Sequence, residues 1–241
     1  MCTVTFIPVN NKYYLTSNRD EKHVRKRAVP PKEYVRNGIR LIYPKDAEAE
    51  GTWIALKDNG DAAVLLNGAF KKHIAAPPYR KSRGLIFLDI FNDDNPVTKF
   101  TKTSFNNIEP FTLVLFFENN LYECRWDGHK KYGRQLQNDV PHIWSSATLY
   151  DEEVVSKREL WLAKWLAKNN APEQDDVFNF HRFAGDGDSN NDVKMNRDGI
   201  YATVSITGIE LTGEKGIMHY LDLKANQSFI KQIELSSFSV A

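Results

Sequence analysis

Two cysteines, Cys2 and Cys124, stand in a chain of 241 residues. That is too few for a disulfide scaffold and points to a reducing compartment. No stretch approaches the ~18 consecutive apolar residues of a membrane-spanning helix, and the start lacks a basic region followed by an apolar run and a small-residue cleavage site. The sequence therefore predicts a cytoplasmic protein without a membrane span. A charge excess is missing too: 32 basic against 31 acidic residues leave a net +1, so the overall balance asks for neither nucleic acid nor an anionic membrane. The histidines, His23, His73, His129, His142, His181 and His219, show no metal-ligand spacing, and no glycine-rich phosphate loop is present. One loop imitates a calcium site, since Asp186, Asp188 and Asn190 alternate. However, Asn191 replaces the required glycine and Arg197 takes the place of the final carboxylate. No metal or cofactor is expected.

What is present begins at the second residue. Methionine aminopeptidase removes an initiator Met when a small side chain follows, and Cys2 qualifies, so the mature chain is expected to start with a cysteine bearing a free α-amine. An α-amine titrates near ~7.7–8.0 and a free thiol near ~8.5, so the amine can take the thiol proton directly or through one water. That one residue then holds both nucleophile and base. The β-branched and aromatic run Thr3 to Val9, the turn signal Asn10-Asn11 and the run Lys12 to Ser17 predict a hairpin. Such a hairpin returns Asn18, Arg19, Asp20 and Glu21 to the neighbourhood of Cys2. A cation beside the thiol favours thiolate, which makes Arg19 a candidate site residue.

Further along, Lys22 to Glu50 carries Pro30-Pro31, Asn37-Gly38 and many basic side chains, and is expected to be a loop: a lid selecting acidic substrates or a solvated excursion. Thr52 to Lys57 and Asp61 to Leu66 predict a second hairpin, its second strand apolar on both faces and hence covered on both sides. That strand delivers Asn67-Gly68. A side-chain amide beside a flexible backbone N–H suits an oxyanion hole, and is equally an ordinary turn. A helix is expected over Gly84 to Phe91, a third hairpin over Phe111 to Trp126 with Cys124 as a core or strand residue, and a strand over His142 to Ser146. Asp151 caps the clearest helix. Glu152 and Glu153 fill its first turn, and Val154, Val155, Trp161, Leu162, Trp165 and Leu166 form an apolar stripe that places both tryptophans in the core. Another helix is expected over Glu173 to Phe183, a loop over Ala184 to Gly199, and strands over Tyr201 to Leu211, Gly216 to Leu223 and Ser228 to Leu235. Strands first, helices in the middle and strands last predict an α+β fold with antiparallel sheets, and 41% hydrophobic and 12% aromatic content suffices for one domain over residues 1–241.

Met1-Cys2, the tetrad Asn18-Arg19-Asp20-Glu21, the segment Gly51-Thr52-Trp53-Ile54-Ala55 and the later Trp144-Ser145-Ser146-Ala147 resemble the NRDE family, also called the transport-and-Golgi-organisation family, from Met1 to about Leu223. The chain is more distantly similar to cholylglycine hydrolases and penicillin V acylases, which begin Met-Cys-Thr and separate the Arg and Asp that are adjacent here. The resemblance implies an N-terminal-nucleophile hydrolase fold, a four-layer αββα sandwich of two mainly antiparallel sheets. It also implies roles. Cys2 attacks a linear amide, Arg19 stabilises thiolate, Asp20 orients the amine and Asn67 holds the oxyanion, with Asn18, Glu21, Trp53, Gly68 and Ser146 around the substrate. Ser146 stands where the resemblance leads one to expect Asn, and Val204 where it leads one to expect Arg. Two readings follow, a cysteine amidohydrolase acting on a small non-peptide amide, or a non-catalytic binding or trafficking protein for a hydrophobic ligand such as haem or a lipid. The oligomeric state is left open.

Overall fold

The computed structural model describes residues 3–235. Strands β1 (Thr3–Val9) and β2 (Lys12–Lys22) form the N-terminal hairpin, followed by β3 (Val29–Arg36), β4 (Ile39–Lys45), β5 (Ile54–Lys57) and β6 (Ala62–Asn67). Helices α1 (Arg83–Phe91) and α2 (Pro96–Lys102) precede β7 (Phe111–Phe117), β8 (Asn120–Trp126), β9 (Lys131–Leu136) and β10 (His142–Ser145). The chain continues through α3 (Glu152–Leu166), α4 (Gln174–Phe183), the short β11 (Asn196–Arg197), β12 (Tyr201–Leu211), β13 (Lys215–Asp222) and β14 (Gln227–Glu234). One sheet has the order β10-β1-β2-β12-β13-β14, with β11 paired to β12, and the other runs β3 to β9 in sequence. All neighbours are antiparallel.

Turn chemistry fixes the hairpins. Asn10-Asn11, Asn37-Gly38 and Glu118-Asn119 all take positive φ, the conformation that two-residue turns need to match strand twist. Alternation then builds the layers. Val4, Phe6 and Leu15 of the first sheet face Ile54, Leu56, Val64, Leu66, Val114 and Phe116 of the second, forming the central core. On the far side of the second sheet Ala55, Ala63, Leu65, Leu113 and Leu115 meet α1 and α2 through Phe87, Ile90, Phe91 and Phe100. This is why Ala62 to Leu66 is apolar on both faces. On the far side of the first sheet Ile7 and Tyr14 meet Leu162, Val177 and Phe180 of α3 and α4. The result is the αββα sandwich. Cys124 lies in β8, where burial pushes its thiol up to about 12.

Two local expectations need correction. Residues 22–50 are mostly a hairpin, β3 and β4. The two prolines are accommodated because β3 is an edge strand and its register shifts between Val29 and Lys32, so neither Pro30 nor Pro31 has to donate to a regular ladder. Second, α3 is capped by Asp151 as expected, its side chain accepting from the Val154 N–H, but its buried positions are Val154, Arg158 and Leu162. Trp161 and Trp165 are only half-buried, packed on the margin of the third cluster. Two further elements, α2 and β9, form in stretches for which the sequence suggested no element. β9 is an exposed edge strand, so it lacks the apolar alternation that marks a half-buried one.

Candidate active site

β2 carries Asn18, Arg19, Asp20 and Glu21 through the middle of the first sheet, and its alternation sends consecutive side chains to opposite faces. Arg19 enters the space between the sheets. It donates to Asp46 at 2.5 Å and its guanidinium lies 4.7 Å from the centre of the Trp53 ring. Asp46 also receives both Nε and Nη2 of Arg25 at 3.0 Å and the backbone N–H of Ala49 at 2.8 Å. Burial alone raises the Asp46 pKa, but the Arg25 and Ala49 hydrogen bonds and the charges of Arg19 and Arg25 outweigh it and hold the carboxyl at about 2. The same bond raises the Arg25 pKa. Sequence reasoning missed Asp46, since one acidic residue in a charged segment carries no signal until the fold brings it to Arg19.

Asn18 and Asp20 face the other way, toward the α3 and α4 side. The Asn18 amide donates to the carbonyls of His181 and Val193, and its oxygen accepts from His181 Nδ1 at 2.8 Å. With the amide so oriented, His181 Nδ1 bears the proton and Nε2 accepts from the Thr5 hydroxyl at 2.8 Å. Burial keeps His181 neutral, with its pKa lowered to about 3. Asn18, expected beside the substrate, is therefore wholly buried in a structural network. Asp20 accepts from the Tyr150 hydroxyl at 2.9 Å and from Thr203 Oγ1 at 2.5 Å. Glu21 is half-buried, 3.6 Å from Arg25.

Asn67 ends β6. Its side-chain amide makes no hydrogen bond among the described residues, whereas its carbonyl accepts from Ser146 Oγ at 2.8 Å, a tie between the two sheets. Ser146 also bonds Thr148 and is nearly wholly buried, so it fixes Asn67 rather than presenting a free hydroxyl. Gly68 has φ +79°, and a Cβ there would press on Thr148. Its N–H donates to the Pro110 carbonyl at 3.0 Å and its carbonyl accepts from Thr112. The expectation that the Gly68 N–H serves an oxyanion fails here, because that donor is already committed. The Gly51-Thr52-Trp53 segment has a steric reason: a Cβ on Gly51 would collide with the Gly84 backbone at the start of α1. This close approach seats Trp53 beneath Arg19.

Two connected spaces open at this end of the sandwich. A chamber of about 400 Å³ is lined by Arg19, Asp46, Trp53, Tyr79, Ser82 and Glu109 among others, and a groove of about 1710 Å³ by Asp20, Trp144, Thr148, Tyr150 and Arg197 among others. Glu21, Arg25, Asn67 and Arg83 line both, so Asn67 stands at the junction. In the groove Glu123 accepts from Arg125, Arg134 and the Trp144 indole; burial raises its pKa, but these partners together lower it. Cys2 lies outside the described residues. The described register ends with Thr3 opposite Asn18, one position before Arg19. Among the described residues no group of His, Cys, Asp or Glu side chains is arranged to hold a metal ion, and no helix is long and apolar enough to cross a membrane.

Solved structures share this architecture. The Caenorhabditis elegans ortholog of N-acylethanolamine-hydrolyzing acid amidase is 11% identical, with 86% of this chain and 92% of that one covered and a TM-score of 0.58. A mutant conjugated bile acid hydrolase from Clostridium perfringens is 9% identical, covering 100% of this chain and 94% of that one, with a TM-score of 0.62. A second variant of that hydrolase gives 10% identity, coverage of 100% and 99% and a TM-score of 0.54. Identities this low speak for the fold alone. No curated protein matches the sequence. Residues 1–209 match the family described as Transport and Golgi organisation 2, and the chain belongs to that family.

Proposed function

We propose that the protein is a cytoplasmic cysteine N-terminal-nucleophile amidohydrolase that cleaves a small, non-peptide linear amide. The observation that carries this reading is that Arg19 of the chamber and Asp20 of the groove flank Asn67, which lines both spaces, at the end where β1 begins. Cys2 directly precedes Thr3, the first described residue of β1, which pairs with Asn18. Removal of Met1 then leaves the Cys2 α-amine to accept the thiol proton. The thiolate attacks the amide carbonyl, the Asn67 amide donates to the oxyanion, and the C–N bond breaks as the amine leaves with a proton. Water hydrolyses the resulting thioester. Arg19, held by Asp46 and Trp53, contributes positive field without swinging out. Asp20, held by Tyr150 and Thr203, is fixed in place to orient the α-amine. The charged walls of both spaces suit a substrate with polar groups better than a purely apolar ligand.

Incubation of native-expressed protein with a panel of N-acyl amides, followed by rapid acid quench and peptide mass analysis, tests the reading. The expected result is an acyl mass increment on the N-terminal cysteine peptide together with released amine. Neither should appear with Cys2→Ala. Absence of both adduct and amine across straight-chain and aromatic acyl groups would sink it.

A further inference from the structure

Arg158 is wholly buried between the first sheet and the loop that follows α4, and its hydrogen-bond partners among the described residues include no carboxylate. Nε and Nη2 donate to the Asn191 carbonyl at 3.2 and 2.9 Å, Nη2 also to the Asp192 carbonyl at 2.8 Å, and Nη1 to Thr3 Oγ1 at 2.5 Å. The guanidinium also lies 3.7 Å from the centre of the Tyr150 ring. A buried cation without a counter-charge is costly, and a residue that merely anchored residues 191–192 would need only the two carbonyl contacts. The remaining two contacts point at the site. Thr3 directly follows the proposed nucleophile and is held on its two edges by β2 and β10. Tyr150 donates to Asp20 at 2.9 Å, and Arg197 lies 5.2 Å from the same ring.

We propose that Arg158 and Tyr150 form a positioning relay for the N-terminal nucleophile: one guanidinium holds the first strand through Thr3 and, through the Tyr150 ring, the carboxylate of Asp20. This rests on the reading of Cys2 as the nucleophile. Neither residue touches the reacting atoms. Arg158 fixes where the α-amine emerges, and Tyr150 fixes the group that orients it. Cation–π contact and a forked donor set are directional, so the ring and the strand end move together or not at all.

The test is the pH dependence of Cys2 alkylation by iodoacetamide, read by peptide mass alongside the melting temperature. Arg158→Met should slow Cys2 alkylation at neutral pH by about tenfold, since loss of a nearby cation and of the strand clamp both disfavour thiolate. Tyr150→Phe, which removes one oxygen and keeps the stacked ring, should shift the apparent pKa by about half a unit, or about threefold in rate. Arg158→Lys should fall between wild type and Arg158→Met. Lower melting temperatures with wild-type rates and profiles in all three variants would reduce the relay to a structural tie and overturn the inference. If Arg158→Met does not fold, Tyr150→Phe decides alone. An unsubstituted chain whose Cys2 reacts no faster than Cys124 would bring down the nucleophile reading, and the relay with it.

Discussion

Beneath α1 and α2 the second sheet presents Ala55, Ala63, Leu65, Leu113 and Leu115 to a layer of phenylalanines and leucines, and the buried Lys57, over the Phe91 ring, is paired with Asp61. Beneath α3 and α4 the first sheet presents Thr3, Thr5 and Asn18 to Arg158 and His181, and the apolar cluster there is far smaller. Both helix layers cover a sheet face, but they do so by different physics. Apolar burial is non-directional and tolerates small shifts, whereas a hydrogen-bond network fixes angles and is costly when incomplete. The directional network lies behind β1 and β2, the strands that deliver the proposed nucleophile and Arg19. The apolar layer supports β6, which carries Asn67 at its end.

Substitutions should separate the two layers. Phe105, buried against Phe100, Phe111 and Trp126 in the apolar layer, should on truncation to Ala cost about 3–5 kcal/mol in urea unfolding while leaving the pH profile of Cys2 alkylation in place. A shifted profile would show that the layers are not separable.

The polar layer should instead answer to pH. His181 is held neutral, with a folded pKa of about 3 against an ordinary value of 6.5. Its stabilising contribution is complete above about pH 6.5 and is lost as the pH falls, because the unfolded chain binds the proton first. Unfolding free energy should drop by about 2 kcal/mol from about pH 7.5 to about 5 on this account alone. His181→Gln should be less stable at neutral pH yet show a shallower fall over that window. An equal slope in both proteins would place the pH dependence elsewhere.

Ser146 tests the bridge between the sheets. Ser146→Ala removes the donor to the Asn67 carbonyl and should cost about 1 kcal/mol, a fall of about 2–4 °C in melting temperature. If Ser146 serves only as this tie, substrate turnover should fall through kcat, as Asn67 loses its fixed position, rather than through KM. A pure KM effect would return Ser146 to direct substrate contact.

Residue chemistry made the first hairpin legible, because Asn10-Asn11 supplies positive φ and strand alternation supplies the faces. Pro30-Pro31 concealed β3, since prolines signal a break unless the strand is known to lie at an edge. For the site, the Asn-Arg-Asp-Glu tetrad was visible but its division was less so. Period-2 alternation implies that Arg19 and Asn18 face opposite ways, and only the covering α4 and β5 segments reveal that one way leads to Trp53 and the other to His181. Arg158 and His181 had no signal at all. A basic or polar side chain on an amphipathic helix is ordinarily assigned to the solvent face, and its burial follows from Thr3, Thr5 and Asn18 far away in sequence.

The central claim is that Cys2 is an activated N-terminal nucleophile with Arg19 behind it. Native-expressed protein, alkylated with iodoacetamide across pH and analysed by intact and peptide mass, tests it most directly beside Arg19→Leu. The expected result is loss of Met1, modification of Cys2 near neutral pH with Cys124 untouched, and an apparent Cys2 pKa raised by about 1 unit in the variant, the low end of a neighbouring cation's range because Asp46 already offsets part of its charge. Met1 retained, Cys2 no faster than Cys124, or a profile indifferent to Arg19 would contradict it.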